Sequence, residues 1–169
     1  IPPTGTISAP GARVNSVTPL ITVQYADEGS GIDPNTVALT LDGVATTGVL
    51  VAGPESASGS AETLADGEHQ ISVTFAYRAD NATTLSQTFV VDTKAPELSV
   101  DAPANDSFVR TTTPAIIAHF SDVGGTGIDT ASVRLFLRRG DDSEVDVTSY
   151  VTVTSGDARG IVPSSNALE

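Results

Sequence analysis

Residues 70–77 read Gln-Ile-Ser-Val-Thr-Phe-Ala-Tyr, so apolar side chains alternate with polar or small ones. A period of two predicts a β-strand with one face on a hydrophobic core, because successive side chains of a strand point to opposite sides. Ile71, Val73 and Phe75 then face inward. After a short loop, Leu85–Val91 reads as a further strand. The sequence predicts that 70–77 is a central strand of one sheet.

Five further strands are predicted in the preceding residues, separated by turn-forming residues. They are Thr4–Ser8, Leu20–Tyr25, Val37–Leu41, Val49–Ala52 and Ser60–Leu64. Asp42-Gly43 supplies the two-residue turn of a hairpin, and no segment carries the 3.6-residue period of a helix. Seven short strands in about 93 residues are typical of an immunoglobulin-type β-sandwich, which takes roughly 100 residues.

A second copy of this pattern follows the first. The matched stretches are Pro3–Pro10 with Pro96–Pro103, Thr18–Ile21 with Thr113–Ile116, Val23–Asp33 with Ala118–Asp129, and Val37–Leu41 with Val133–Leu137. Four matches in the same order indicate an internal repeat. The sequence therefore predicts an all-β chain of two tandem immunoglobulin-like β-sandwich units, residues 1–93 and 94–169.

The cores of both units are expected to be small and aliphatic, because aromatic residues make up 5% of the chain and Trp is absent. Such a composition suits a thin two-sheet sandwich better than a large enzyme core. Buried side chains are predicted at Val23, Val37, Leu39, Ile71, Val73 and Phe75 in the first unit, and at Ile117, Val133 and Leu135 in the second.

The second unit is predicted to lack its last strands. Asn166–Glu169 fall where Thr63–Ala65 fall in the first unit, and no residues follow to match 66–92. Apolar side chains of this unit would then lack a covering strand, and an open strand edge favours pairing with another chain. We expect intermolecular strand pairing through residues 94–169, a poorly ordered unit or a different pairing. Alternatively, Val145–Val153 fills the gap.

Composition also argues against several classes of function. Cysteine is absent, which excludes disulfides, thiolate zinc sites and a cysteine nucleophile. The two histidines, His69 and His119, lie in different units and no Gly-x-Ser-x-Gly turn occurs, so we expect no enzyme. A net charge of −13 disfavours nucleic acid and anionic lipid. No apolar run is long enough for membrane insertion in this segment.

Three runs of sequence carry a resemblance to a known family. They are DEGSGIDPNTVALTLDG at 27–43, LADGEHQISV at 64–73 and FVVDTKAP at 89–96. They resemble the bacterial immunoglobulin-like (Big-type) tandem repeats of large extracellular or cell-surface proteins. The resemblance implies a non-catalytic structural or adhesive module that acts as a stalk or spacer, with neighbouring immunoglobulin-like repeats as partners. It supplies no catalytic residues.

A second interpretation is a carbohydrate-binding accessory module of a secreted multidomain hydrolase. Sugar binding needs exposed aromatic side chains, and Phe136 and Tyr150 are the candidates, because the other aromatic residues considered fall mostly on predicted core faces. A surface protein or a glycan is the ligand expected under these two interpretations.

Acidic, glycine-rich loops occur at matching positions, 27–33 in the first unit and 122–129 in the second. Calcium takes about 6–8 oxygen ligands, which such loops supply. We predict calcium as the one candidate cofactor, bound where the units join, by Asp92, Asp122 and Asp129 with Asp66 or Glu68 assisting. The alternative is that Asp and Gly only form turns here.

Arg139-Gly140-Asp141 spells a tripeptide that many integrins bind, and it follows the predicted strand Val133–Leu137. A hairpin tip is expected at this position, so these three residues are candidate binding residues. A charged turn is the simpler interpretation, because tripeptides match easily by chance.

Overall fold

The computed structural model describes residues 2–76, 81–138 and 143–163. The chain divides into two compact units, Ile1–Thr93 and Lys94–Glu169. The described residues form strands and two short 3-10 turns, Pro34–Thr36 and Thr148–Tyr150. The predicted all-β class is confirmed, and the stacked sheets are consistent with a β-sandwich.

Unit 1, defined as residues 1–93, contains two sheets. Its strands are β1 (Thr4–Ala9), β2 (Arg13–Val14), β3 (Leu20–Ala26), β4 (Ala38–Leu41), β5 (Val44–Thr46), β6 (Val51–Ala52), β7 (Ser56–Ser60), β8 (Gly67–Ala76) and β9 (Ala82–Val91). One sheet has the order β1-β3-β7-β6 and the other β2-β9-β8-β4-β5. Strand β8 pairs with β9 on one side and β4 on the other, both antiparallel. The predicted central position of 70–77 is confirmed for its described residues.

The core of unit 1 lies between the inward faces of these sheets. Ile71, Val73 and Phe75 are each 0% exposed, as the alternation in β8 predicted. The other buried members of the core are Ile21, Val23, Tyr25, Ile32, Leu39, Leu41, Ala57, Ala61, Phe89 and Val91. Val37 is only half-buried and packs at the edge of this core, because it caps the 3-10 turn ahead of β4.

In unit 1 the predicted hairpin turn is present, whereas one predicted strand is displaced along the chain. Asp42 and Gly43, with φ of 51° and 77°, form the predicted two-residue turn between β4 and β5, since both positions need a left-handed backbone. The predicted strand Ser60–Leu64 is wrong: the strand is β7, Ser56–Ser60. Beyond it, the N–H groups of Ala61 and Leu64 bond to carbonyls of the loop before β3, not to a neighbouring strand.

Unit 2, defined as residues 94–169, repeats part of this arrangement. Its strands are β10 (Glu97–Ala102), β11 (Ala115–Ser121), β12 (Phe136–Arg138), β13 (Glu144–Asp146), β14 (Val151–Val153) and β15 (Asp157–Ile161). The sheet β10-β11-β15-β14 has the same order as β1-β3-β7-β6, and β12 pairs with β13 as β4 pairs with β5. Both first strands have a register shift at the matching point, after Ile7 and after Val100.

Residues 145–153 do not take the places of β8 and β9, so that alternative is wrong. Strand β13 pairs with β12 and β14 pairs with β15, which are the positions of β5 and β6 in unit 1. In the described part of unit 2, no strand stands where β8 and β9 stand in unit 1.

The predicted buried positions of unit 2 need correction. Ile116 is buried and Ile117 is not, because Ile117 shares the outward face of β11 with His119. Val133 and Leu135 are half-buried; among the described residues, the sheet that follows them consists of β12 and β13. The core is correspondingly small, with buried Ile116, Val147 and Val162 and a few partly buried neighbours.

Two matching glycines lie where the backbone passes closest to a neighbouring segment. A Cβ on Gly59 of β7 would overlap the Val49 carbonyl, and a Cβ on Gly160 of β15 would overlap the Tyr150 carbonyl.

We expect Gly59→Ala and Gly160→Ala each to lower the free energy of unfolding by about 1–3 kcal/mol, because backbone must shift to admit the methyl group. Urea denaturation would measure this loss, with Gly156→Ala as the control because no atom lies within 4 Å of its added Cβ. Equal stability of all three variants would contradict the close approach.

Candidate binding surfaces

The predicted calcium ligands of unit 1 stabilise the end of the unit. The Oδ1 atom of Asp66 accepts hydrogen bonds from the backbone N–H and the hydroxyl of Thr93, both at 2.9 Å. The N–H of Asp92 donates to the Val14 carbonyl at 2.9 Å. Glu68 is exposed on β8. Asp66 therefore holds the residue that leads out of the unit.

The predicted ligands of unit 2 organise their own loop. Asp122 Oδ2 accepts from the Gly127 N–H at 2.7 Å, and Asp129 Oδ1 accepts from the Ala131 N–H at 3.0 Å. In unit 1, Asp27 Oδ2 accepts from the Gly31 N–H at 2.9 Å in the matching loop. This geometry is that of turn-forming carboxylates. In the described ranges, no group of three or more His, Asp or Glu side chains is placed to hold a metal ion, and the calcium site stays a prediction.

The candidate tripeptide Arg139-Gly140-Asp141 lies outside the described residues. Its role in binding stays a prediction.

Sequence reasoning missed a polar pair beside the hairpin turn of unit 1. His69 Nδ1 lies 2.7 Å from Asp42 Oδ2, and His69 Nε2 lies 2.9 Å from the Ala65 carbonyl oxygen. The other oxygen of Asp42 accepts from the Gln70 N–H at 2.8 Å. The His69 ring also packs against Phe89, with 5.8 Å between centroids. Twenty-seven residues separate His69 and Asp42, so only the β4–β8 pairing brings them together.

This pair shifts the pKa values of both side chains. The hydrogen bond with Asp42, and next the Ala65 carbonyl, raise the pKa of His69 above its ordinary 6.5. The hydrogen bond with His69, and next the Gln70 N–H, lower the pKa of Asp42 below its ordinary 3.8. The pair is strongest where His69 is protonated and Asp42 is ionised.

The described aromatic side chains of unit 1 lie in its core, whereas in unit 2 Phe120 is buried and Phe108, Phe136 and Tyr150 are exposed. Tyr25 and Phe75 pack with 5.0 Å between ring centroids, and the Tyr25 hydroxyl donates to the Gly53 carbonyl at 2.8 Å. Phe136 and Tyr150, the predicted sugar-binding candidates, are 59% and 41% exposed. They are accessible to a ligand, unlike the aromatic residues of the unit 1 core.

Two apolar side chains of β10 in unit 2 are exposed to solvent. Leu98 and Val100 lie opposite Phe120 and Ala118 in the β10–β11 ladder, so they share the inward face, yet they are 69% and 53% exposed. A cavity of about 300 Å³ opens beside Leu98, between β10 and the loop before β12. The sequence could have indicated these residues, because the match of Pro3–Pro10 with Pro96–Pro103 aligns Leu98 with Gly5 and Val100 with Ile7.

Comparisons with known proteins leave the family open. No protein-family profile matches the chain, and no curated protein matches it in sequence. Among solved structures, it is similar to the crystal structure of dimeric latent PorU from Porphyromonas gingivalis, with a TM-score of 0.43 and 16% identity over 100% of this chain and 16% of that one. In the described ranges, no helix is long and apolar enough to cross a membrane.

The pair of His69 and Asp42 predicts a pH dependence of the stability of unit 1. The raised pKa of His69 stabilises the folded state below about pH 6.5, and this stabilisation is lost as the pH rises through the raised pKa. The lowered pKa of Asp42 stabilises the folded state above about pH 4, and this stabilisation is lost as the pH falls through the lowered pKa. We expect the melting temperature of unit 1 to be higher near pH 5.5 than near pH 8. Asp42 is 47% exposed, so the difference is less than about 1 kcal/mol.

The matched variant is Asp42→Asn, which tolerates the left-handed backbone of the turn but cannot form the ion pair. Thermal unfolding at about pH 5.5 and about pH 8 should show a smaller difference in this variant than in the parent chain. An unchanged difference would mean that the pair does not contribute.

Proposed function

We propose that this chain is a non-catalytic spacer of a bacterial extracellular or cell-surface protein, in which immunoglobulin-like sandwich units in series carry tension. The strand orders of unit 1, β1-β3-β7-β6 and β2-β9-β8-β4-β5, support this, because they contain the ABED and CFG orders of that sandwich type. The internal repeat supports a serial arrangement, since repeated units are the usual construction of an extended protein.

The observation that carries the proposal is the parallel pairing of β2 with β9. Arg13 lies opposite Val90 and Val14 opposite Val91. The N–H of Val90 donates to the Ala12 carbonyl at 3.0 Å, and the N–H of Asp92 donates to the Val14 carbonyl at 2.9 Å.

This pairing joins the first part of unit 1 to its last strand. When the two ends of the unit are pulled apart, parallel neighbours are drawn in opposite directions along their length. The hydrogen bonds between them are then loaded together in shear, whereas an antiparallel hairpin pulled from its open end loses its bonds one at a time. Unit 1 therefore has the geometry of a domain that resists extension.

The linker residues support the same function. Thr93 is held within unit 1 by two hydrogen bonds to Asp66. In unit 2, Lys94 Nζ lies 3.2 Å from the position of a Cβ on Gly124, so the Lys94 side chain covers the acidic loop of its own unit. Pro96 restricts its own backbone and that of Ala95. These contacts and Pro96 restrict the conformations of residues 93–96, which favours a spacer.

The carbohydrate-binding alternative is favoured only by the exposure of Phe136 and Tyr150. Sugar-binding sites also need polar groups that converge on the ligand. The arginines that flank Phe136 are engaged within unit 2, since Arg138 lies 3.9 Å from Glu144 and Arg134 donates to the Ala131 and Val133 carbonyls. We therefore favour the spacer.

Single-molecule force spectroscopy on the chain, pulled from its two ends, tests the proposal. We expect Asp92→Pro to lower the force at which unit 1 unfolds, because it removes the N–H that donates to Val14. Loss of a hydrogen bond worth about 1 kcal/mol speeds unfolding by about fivefold. Asp92→Asn keeps the N–H and should unfold at the parent force. If the two variants unfold at the same force, β2–β9 does not bear the load and the spacer loses its main support.

A further inference from the structure

A cleft of about 800 Å³ opens on unit 1 beside the end of β3. This unit 1 cleft is lined by residues 4–6, 24–27, 31–32 and 54–56. The large side chains of Tyr25 and Ile32 are 3% and 4% exposed, whereas Thr6, Gln24 and Glu55 are exposed. Ligand sites in proteins take about 300–1,000 Å³. The unit 1 cleft is therefore large enough for a small ligand and presents polar side chains to it.

Hydrogen bonds within unit 1 hold both sides of this cleft in place. On one side, the Tyr25 hydroxyl donates to the Gly53 carbonyl at 2.8 Å, and the Gly53 N–H donates to the Ser56 carbonyl at 2.7 Å. On the other side, Asp27 Oδ2 accepts from the Gly31 N–H at 2.9 Å. A ligand entering a cleft built in this way orders few groups on binding, which lowers the entropic cost of the complex.

A cleft of about 380 Å³ occupies the same place in unit 2. Each of the seven residues that line this unit 2 cleft is the match of a residue that lines the unit 1 cleft. The backbone frame also recurs, because the Phe120 N–H donates to the Gly156 carbonyl at 3.0 Å, as the Tyr25 N–H donates to the Glu55 carbonyl at 3.0 Å. Both clefts are formed by the first two long strands of their unit and the turn before β7 or β15, so each is complete within the described residues.

Several polar side chains of the unit 1 cleft are available to a ligand. Within the described ranges, the side chains of Thr6, Gln24, Glu55 and Ser56 make no hydrogen bond to another residue. The amide of Gln24 and the two hydroxyls can each donate and accept, and the carboxylate of Glu55 accepts. The unit 1 cleft thus offers donors and acceptors side by side.

The unit 2 cleft keeps these chemical types with different residues. Ser99 supplies a hydroxyl at the position of Thr6, and His119 supplies a planar polar ring at the position of Gln24. The Nε2 atom of His119 lies 3.3 Å from Asp101 Oδ2, which orients the ring. Glu97 supplies the carboxylate. A hydroxyl, a planar polar group and a carboxylate therefore line both clefts.

Charge and burial narrow the chemistry of the ligand. Among the described residues that line the two clefts, none is Lys or Arg, whereas Asp27, Glu55 and Glu97 are acidic. An anionic ligand is repelled by these carboxylates. An apolar ligand gains little, because Tyr25 and Ile32 are already buried. A cation would use the acceptors and leave the donors unpaired, whereas a neutral ligand that carries many hydroxyl groups pairs with both.

We propose that the cleft of each unit binds a neutral saccharide chain. Gln24 in unit 1 and His119 in unit 2 bond to sugar hydroxyls, and Glu55 and Glu97 accept hydrogen bonds from them. This site is separate from Phe136 and Tyr150, on which the accessory-module interpretation depends. The described aromatic side chains that line the clefts, Tyr25 and Phe120, are buried, so no ring is available for stacking on a sugar and each site binds weakly.

Weak sites in series increase the overall affinity for a polymer, because each bound site raises the effective concentration at the next. A chain of immunoglobulin-like units with one such cleft per unit would adhere to a polysaccharide along its length. This binding adds to the spacer function and does not depend on β2–β9 bearing load, so the force measurement and the binding measurement can fail separately.

The test measures binding of the full, fluorescently labelled chain to two immobilised series of oligosaccharides. The neutral series consists of chains of hexoses and N-acetylhexosamines, and the acidic series carries a terminal uronic acid on the same chains. We expect binding to members of the neutral series and at least about fivefold weaker binding to their acidic counterparts.

Variants of unit 1 locate the site. Gln24→Ala removes an amide that faces the cleft and should weaken binding by about fivefold or more. Its control is Gln70→Ala, because Gln70 is also an exposed glutamine in a strand but lies outside the cleft. Glu55→Ala should also weaken binding, whereas Glu62→Ala, which removes the same charge from an exposed position outside the cleft, should not.

His119→Ala tests the unit 2 cleft, and combined with Gln24→Ala it should weaken binding more than either change alone. Circular dichroism would verify that each variant keeps the β-structure of the parent. Because the four unit 1 side chains are exposed or make no hydrogen bond within the unit, their replacement leaves the core of unit 1 in place.

Three results would overturn the proposal. The first is no binding of any neutral oligosaccharide by the parent chain. The second is an equal effect of Gln24→Ala and Gln70→Ala, because the sugar would then bind elsewhere. The third is binding of a labelled tetra-arginine peptide that Glu55→Ala weakens and Glu62→Ala does not, without binding of neutral oligosaccharides, which would assign the cleft to a basic partner.

Discussion

The antiparallel pairing of β8 with β4 and β9 is the constraint on which the closed sandwich of unit 1 depends. It places Ile71, Val73 and Phe75 at 0% exposure and makes β9 available for parallel pairing with β2. Burying three such side chains contributes several kcal/mol, which is a large share of the stability of a domain of this size. The core, the polar pair of His69 with Asp42 and the parallel pairing of β2 with β9 all follow from this one hairpin.

The described part of unit 2 keeps the other sheet of unit 1 and contains no counterpart of that hairpin. Its four-stranded sheet keeps the strand order of unit 1, so the pairings of β10, β11, β14 and β15 do not need it. The apolar side chains of β10, however, are exposed to solvent, and the core is reduced to a few residues. Leu98 and Val100 thus hold the positions of inward-facing residues of unit 1, opposite Phe120 and Ala118.

Much of the fold could be predicted because it depends on local patterns. The alternation of 70–77 and the Asp42-Gly43 turn each determine local structure through few residues, and both were correct. The prediction that Ile117 is buried was wrong. Ile116 and Ile117 are both apolar, so the sequence does not show which of them faces the core. The pairing of β11 with β10 and β15 determines this. The strand predicted at Ser60–Leu64 was misplaced because Ser56–Ser60 has little apolar alternation. Ser56–Ser60 forms a strand through its pairing with β3 and β6.

The candidate surfaces were harder to predict, because contacts distant in sequence create them. Asp42 meets His69 only across the β4–β8 ladder. Leu98 reads as an ordinary core residue in the sequence, and the structure shows that it is 69% exposed. Asp122 and Asp129 were correctly placed in a turn-rich loop, but the sequence does not reveal that their oxygens accept hydrogen bonds from Gly127 and Ala131.

Hydrogen exchange at two matched amides tests most directly whether unit 1 is closed and unit 2 open. Thr40 lies opposite Ser72 in the β4–β8 pairing. Asp42, two residues further on, donates its N–H to the Gln70 carbonyl of the same neighbouring strand at 2.8 Å. Because the bonding direction alternates along a strand, the Thr40 N–H also points toward β8. Phe136 is the match of Thr40, on the edge of β12 with which no described residue pairs. We expect the Thr40 amide to exchange at least about a hundredfold more slowly than the Phe136 amide, corrected for intrinsic rates. Equal protection of the two amides would show that this edge of β12 is covered and would contradict the difference between the units.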